Sequence, residues 1–138
     1  MSQSVRTDEQ EAVKLSFPGS ADLVVLARFT AAAVGSRAGF DIDEIEDLRL
    51  AIDELCISFG PIDQYENVNF EFLRIANQVR IACVFERAER AGEASTNPNW
   101  ERTADLSALL LDALVDNHGK EEREGRRYAW MEKEGPGR

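Results

Sequence analysis

The predicted element order, β α α β β α β β, puts this 138-residue chain in the α+β class, as a two-layer sandwich of a mostly antiparallel sheet with its helices on one face. Three observations predict it. Three segments alternate apolar and polar residues with the period of a half-buried strand. Three others repeat their apolar residues at helical spacing. Two helices precede a hairpin and one follows it, and short links suit antiparallel strands. The length suits one domain, residues 1–138, with a core over about 12–133.

The first strand is "EAVKLSF", residues 11–17, where Val13, Leu15 and Phe17 alternate with Lys14 and Ser16. "PGS" breaks the chain and sets Ser20 as a helix cap. The helix "ADLVVLARFTAAAVGSRAG" is expected to bury Leu23, Leu26, Ala27, Thr30 and Val34, and Gly39 ends it. Asp41 caps the second helix, whose first turn carries acids where the helix dipole favours them. Ile42, Ile45, Leu48, Ile52, Leu55, Cys56 and Phe59 hold the period for about five turns, and "GPIDQ" stops it.

"ENVNFEFLRI" and "NQVRIACVFE" form the hairpin, joined through Ala76-Asn77-Gln78. Phe70 and Phe72 share one face of it, as core or as a dimer contact. Residues 87–102 read as a polar loop. "ADLSALLLDALVDN" is the third helix, with Leu106, Leu109, Leu110, Ala113 and Leu114 as its buried stripe and His118 near its end. "GKEEREGRRYAWMEKE" supplies a charged strand, a turn at Glu124-Gly125 and a last strand with Tyr128 and Trp130, before a frayed "GPGR" tail.

Composition narrows the function classes. Hydrophobic residues make up 43% and charged residues 30%, as in soluble globular proteins. A formal charge of −10 argues against sequence-independent binding to nucleic acid or anionic lipid, which needs cationic patches, and favours basic partner surfaces. There is no apolar run long enough for a membrane span, and the start lacks the basic and apolar regions of a secretory signal, so a cytoplasmic protein is expected. Cys56 and Cys83 lie in apolar patterns without metal-ligand spacing and are expected to be buried free thiols.

One stretch raises a chemical question. In "EDLRLAIDELCISFG" the consecutive acids Asp53 and Glu54 lie deep in the helical pattern, as a solvated flank or as the lining of a site. The run "VVLARFTAAAVGSRAGFDIDEIEDLRLAIDELC" resembles the bacterial anti-sigma factor serine-protein kinases, within the superfamily of gyrase, heat-shock chaperone and histidine-kinase ATPase domains. The resemblance covers residues 12 to 133 in element order and is most specific over "DEIEDLRLAIDELC".

The resemblance implies the histidine-kinase-like ATPase fold and a nucleotide site. In that family the second helix carries E-x-x-x-N, the Glu activating a hydroxyl and the Asn meeting Mg²⁺. Glu54 and Ser58 occupy those positions here, so Glu54 is the catalytic candidate and Ser58 the metal candidate. Glu86 stands where an adenine-binding Asp is expected, followed by Arg87, Ala88, Glu89 and Arg90 instead of glycines. Asp105-Leu106-Ser107 replaces the phosphate-binding G-x-G, and Asp105, as a helix-start carboxylate, repels phosphate. With three elements altered together, the resemblance implies a fold whose Mg-ATP chemistry is weakened or lost.

What would remain is binding. Arg28, in "LARFT", stands where a first-helix arginine of the family holds the sigma factor. The resemblance therefore implies an anti-sigma factor, a homodimer through its sheet, released by an anti-anti-sigma antagonist. Its alternative is an active serine-protein kinase that binds Mg-ATP and phosphorylates that antagonist.

Overall fold

The computed structural model describes residues 10–87 and 98–135. They form an α+β sandwich: a five-stranded sheet with its three helices packed on one face. The strands are β1 (Gln10–Phe17), β2 (Asn67–Ile75), β3 (Gln78–Glu86), β4 (Asn117–Arg123) and β5 (Arg126–Glu134), and the helices are α1 (Val24–Arg37), α2 (Ile42–Cys56) and α3 (Pro98–Leu114). The sheet order is β1-β2-β3-β5-β4, and every neighbouring pair is antiparallel.

Strand parity sets the two faces. In β2, Val68, Phe70 and Phe72 point into the core, and in β3 Val79, Ile81, Cys83 and Phe85 do. Phe70 and Phe72 are thus core residues, their rings stacked at 5.5 Å. Phe17 of β1 stacks on Phe70 at 5.8 Å. Cys56 and Cys83 are buried and unpaired, and burial pushes the Cys56 thiol up to about 12 and the Cys83 thiol well above its ordinary range. Two-residue turns close the hairpins: Ala76 has φ 54°, while Glu124 and Gly125 have φ 51° and 78°.

Several sequence expectations change at the helices. Ser20 makes no side-chain cap; its carbonyl accepts the Leu23 N–H at 3.1 Å, and one 3₁₀ turn, Ala21–Leu23, precedes α1. The buried stripe of α1 is Val24, Ala27, Ala31, Val34 and Gly35, with Leu26 41% exposed and Thr30 bonded back to the Leu26 carbonyl. Small residues win that face because α2 lies close: a Cβ on Gly35 would sit 3.3 Å from Leu48. Gly39, at φ 84°, ends α1 as expected, and the Phe40 N–H reaches back to the Gly35 carbonyl at 3.0 Å.

Asp41 and Glu44 form the reciprocal cap of α2. That helix buries Leu48, Ala51, Ile52, Leu55 and Cys56 but leaves Ile42 85% exposed, and it stops at Cys56, short of Ser58. Helix α3 starts at Pro98, so residues 98–102, expected as loop, are helical; residues 88–97 lie outside the described residues, as does the tail after Gly135. The α3 stripe is rotated, and of the expected residues Leu114 alone packs, partly buried, against the core. Ser107, Leu111 and, just past the helix, Val115 are buried, while Leu106, Leu109 and Leu110 face solvent. His118 belongs to β4, and its Nε2 lies 2.6 Å from Asp112.

Glu11 ties three elements together. It accepts hydrogen bonds from Arg37 of α1 and from the buried Arg74 of β2, the latter at 2.8 Å. These two guanidiniums hold its carboxyl down at about 2 from an ordinary 4.5. A depressed carboxylate contributes stability that is present above its unfolded pKa and is lost as pH falls through the folded one. Stability is therefore expected to fall between pH 4.5 and about 2. Glu11→Gln should flatten that limb in urea melts taken across the window; an unchanged limb would refute the assignment.

Candidate functional site: the junction of three helices

Helix α2 lies between the other two, and its consecutive acids diverge because adjacent residues point about 100° apart. Asp53 turns toward α1, where Arg28 donates from Nε at 2.7 Å; the two side chains are 39% and 35% exposed. Glu54 turns toward α3, where its Oε1 accepts the Ser107 hydroxyl at 2.9 Å. Ser107 is 2% exposed, so this bond lies between packed helices. The two acids thus fasten α2 to both neighbours, which answers the question their depth raised. No signal in the sequence links Glu54 to Ser107, since the partners are 53 residues apart.

Ser58 sits in the turn after α2, 5% exposed, and its hydroxyl donates to the Leu55 carbonyl at 2.8 Å. Its own carbonyl accepts from the Lys120 ammonium at 2.9 Å. Cations gather at this helix end, where the dipole favours them. Lys120 and Arg127 both lie over the Phe59 ring, at 5.3 and 5.4 Å. Arg127 also donates to the Tyr65 hydroxyl at 2.8 Å, and Tyr65 packs on Phe85 with centroids 5.0 Å apart. Burial raises the Tyr65 phenol, against the pull of Arg127. What stays open is a cleft of about 160 Å³ lined by Ser58, Ser107, Leu111, His118, Gly119 and Lys120.

Two other candidates stand apart. Glu86 lies on the far face of the sheet from the helices, because Phe85 takes the inward position of β3. Its carboxylate accepts from Asn69 there, away from Glu54. Arg87 reaches Gln64, while Ala88, Glu89 and Arg90 lie outside the described residues. Asp105 is not a helix-start residue. It is exposed and lies in the second turn of α3, so Asp105, Leu106 and Ser107 come after the four helix-start N–H groups that lack intrahelical partners. Their own N–H groups are committed within the helix.

Two large apolar residues of α1 are exposed, Leu26 at 41% and Phe29 at 62%. Sequence reading missed Phe29 as a surface group, although its offset from the buried Ala27 and Ala31 positions marks it as one.

Comparison with known proteins gives a local match. Over 46 residues, 33% of this chain, the sequence is 41% identical to the serine-protein kinase RsbW of Bacillus cereus (strain AH187). The same-named protein of Bacillus thuringiensis (strain Al Hakam) matches at the same identity over the same length. The match spans 29% of each of these relatives. No protein-family model matches the chain. The similarity to these serine-protein kinases is confined to a third of the chain.

Proposed function

We propose that this chain is a regulator that sequesters a sigma factor by protein–protein binding and has lost the nucleotide chemistry of its relatives. The observation that carries the second half is the Ser107–Glu54 hydrogen bond that joins an unbroken α3 to α2. The residues present do not fit Mg-ATP. Phosphate recognition at a helix needs free N–H groups, and those of Asp105, Leu106 and Ser107 are spent inside α3. The carboxylate that would accept a substrate proton is engaged as the acceptor of the Ser107 hydroxyl's hydrogen bond. Ser58 directs its hydroxyl hydrogen to a backbone carbonyl, and Glu86 lies across the sheet.

The first half rests on the local similarity to RsbW and on α1. Arg28, oriented by Asp53, lies on the flank of α1 toward α2, and Phe29 is exposed about 100° further round the same helix; arginine and aromatic side chains are common interface anchors. In this reading the protein is a cytoplasmic homodimer, and a competing antagonist, rather than phosphorylation, releases the sigma factor. Among the described residues no helix is long and apolar enough to cross a membrane. The second reading, a serine-protein kinase acting on the antagonist with Glu54 as base, is favoured by the relatives' being serine-protein kinases by name.

Binding to a panel of purified sigma factors tests the first reading. One of them should bind, and Arg28→Ala and Arg28→Glu should each weaken that complex by about 30-fold or more, the size of an interface hot spot. Retention of wild-type affinity by both variants would remove α1 as the surface. Failure of every sigma factor to bind would remove the reading.

A further inference from the structure

Helix α3 turns its most apolar face to solvent. Leu106, Leu109 and Leu110 are 60%, 64% and 49% exposed, and with the exposed Ala113 they fall within an arc of about 100°. The opposite face is held down by Ser107 and Leu111. Three adjacent exposed leucines on one helix are the signature of a surface that something covers.

The undescribed residues of this sequence offer few apolar side chains to cover them. Residues 1–9, 88–97 and 136–138, outside the described residues, contain only Met1 and Val5 as large apolar side chains. A second copy is disfavoured by charge. Asp105 and Asp112 are seven residues apart and so share one flank of the leucine face. In an antiparallel pair of α3 helices like flanks meet, bringing Asp105 of one copy toward Asp112 of the other, where the two carboxylates repel. The same two aspartates complement a basic partner. Arg102 sits at the N-terminal end of the face, and His118 contacts Asp112 from β4.

We propose that the Leu106–Leu109–Leu110 face of α3 docks a basic amphipathic helix of a partner protein. Apolar side chains of that helix, spaced i, i+3/i+4, i+7, would cover the leucines, and its Lys or Arg residues would meet Asp105 and Asp112. The inference rests on the reading that the chain acts by protein binding, but it uses neither Arg28 nor any property of α1.

The test uses a fluorescein-labelled helical peptide of about 18 residues, with leucines at that spacing and lysines elsewhere. Two controls accompany it: a scramble of the same composition, and a version with Glu for Lys. Anisotropy titrations at physiological ionic strength should show the basic amphipathic peptide binding about tenfold or more tighter than either control. Leu109→Glu should abolish that preference, with the melting temperature confirming a folded variant, and Asp105→Lys with Asp112→Lys should reduce it. Arg28→Glu should leave it unchanged. Equal binding of the three peptides would overturn the proposal, and so would wild-type binding by Leu109→Glu. Loss on Arg28→Glu would move the peptide to α1. Sedimentation showing a dimer that Leu109→Glu dissociates would assign the face to a second copy and overturn it equally. If peptide binding fails while a sigma factor is still held through Arg28, only the α3 proposal falls; the reverse pattern removes the sigma reading and leaves this one.

Discussion

Truncating Phe72 to alanine is expected to destabilise the fold by about 3–5 kcal/mol, a large share of the ~5–15 kcal/mol by which a domain is usually stable. Phe72 is fully buried at the middle of β2, paired in register with Val13 and Ile81, and its ring stacks on Phe70. Removing it opens a cavity that neighbouring strands, held by their ladders, cannot collapse into. Lys14→Ala, on the exposed face of β1, should stay within about 0.5 kcal/mol. Urea melts of the two variants check this. A Phe72→Ala loss under about 1 kcal/mol would mean that the face of β2 turned to the helices is not the core.

The second large effect is at the helix junction. Glu54→Ala leaves the Ser107 hydroxyl buried without its acceptor, a loss of about 1–3 kcal/mol. Ser107→Ala removes the hydroxyl and leaves a half-buried carboxylate that water reaches, so the smaller loss, about 0.5–1.5 kcal/mol, is expected. The double variant should cost less than the sum, with a coupling of at least about 0.5 kcal/mol between contacting groups. Strict additivity would place the two side chains apart and remove the bond that seats α3 on α2.

The sheet was legible from the chain because alternation is a direct record of which strand face is wet. The same parity held a lesson about Glu86. With Val79, Ile81 and Cys83 inward, Phe85 must be inward and Glu86 outward, so its distance from Glu54 could have been read without coordinates. The helices were harder. Leucines at 106, 109 and 110 look like core, and a serine between them looks like surface; the packing reverses both, because the Ser107 hydroxyl finds a carboxylate and the short side chains on that side let α3 approach α2. In α1 the same preference for small residues at a close helix contact turned Leu26 outward. The acids were read correctly as unusual but not as fasteners, since a helical period places a residue on a face without naming its partner. Ser58 is expected on the second helix, but that helix ends two residues earlier, at Cys56.

These contacts converge on one locus, where α3 is seated on Glu54, and the proposed loss of nucleotide binding turns on it. Thermal unfolding with and without millimolar Mg-ATP tests that most directly, because a ligand that binds only the native state raises its melting temperature by mass action. The account predicts superimposable curves for the wild-type chain. A rise of several degrees that depends on both nucleotide and magnesium, and that Glu54→Ala abolishes, would contradict it.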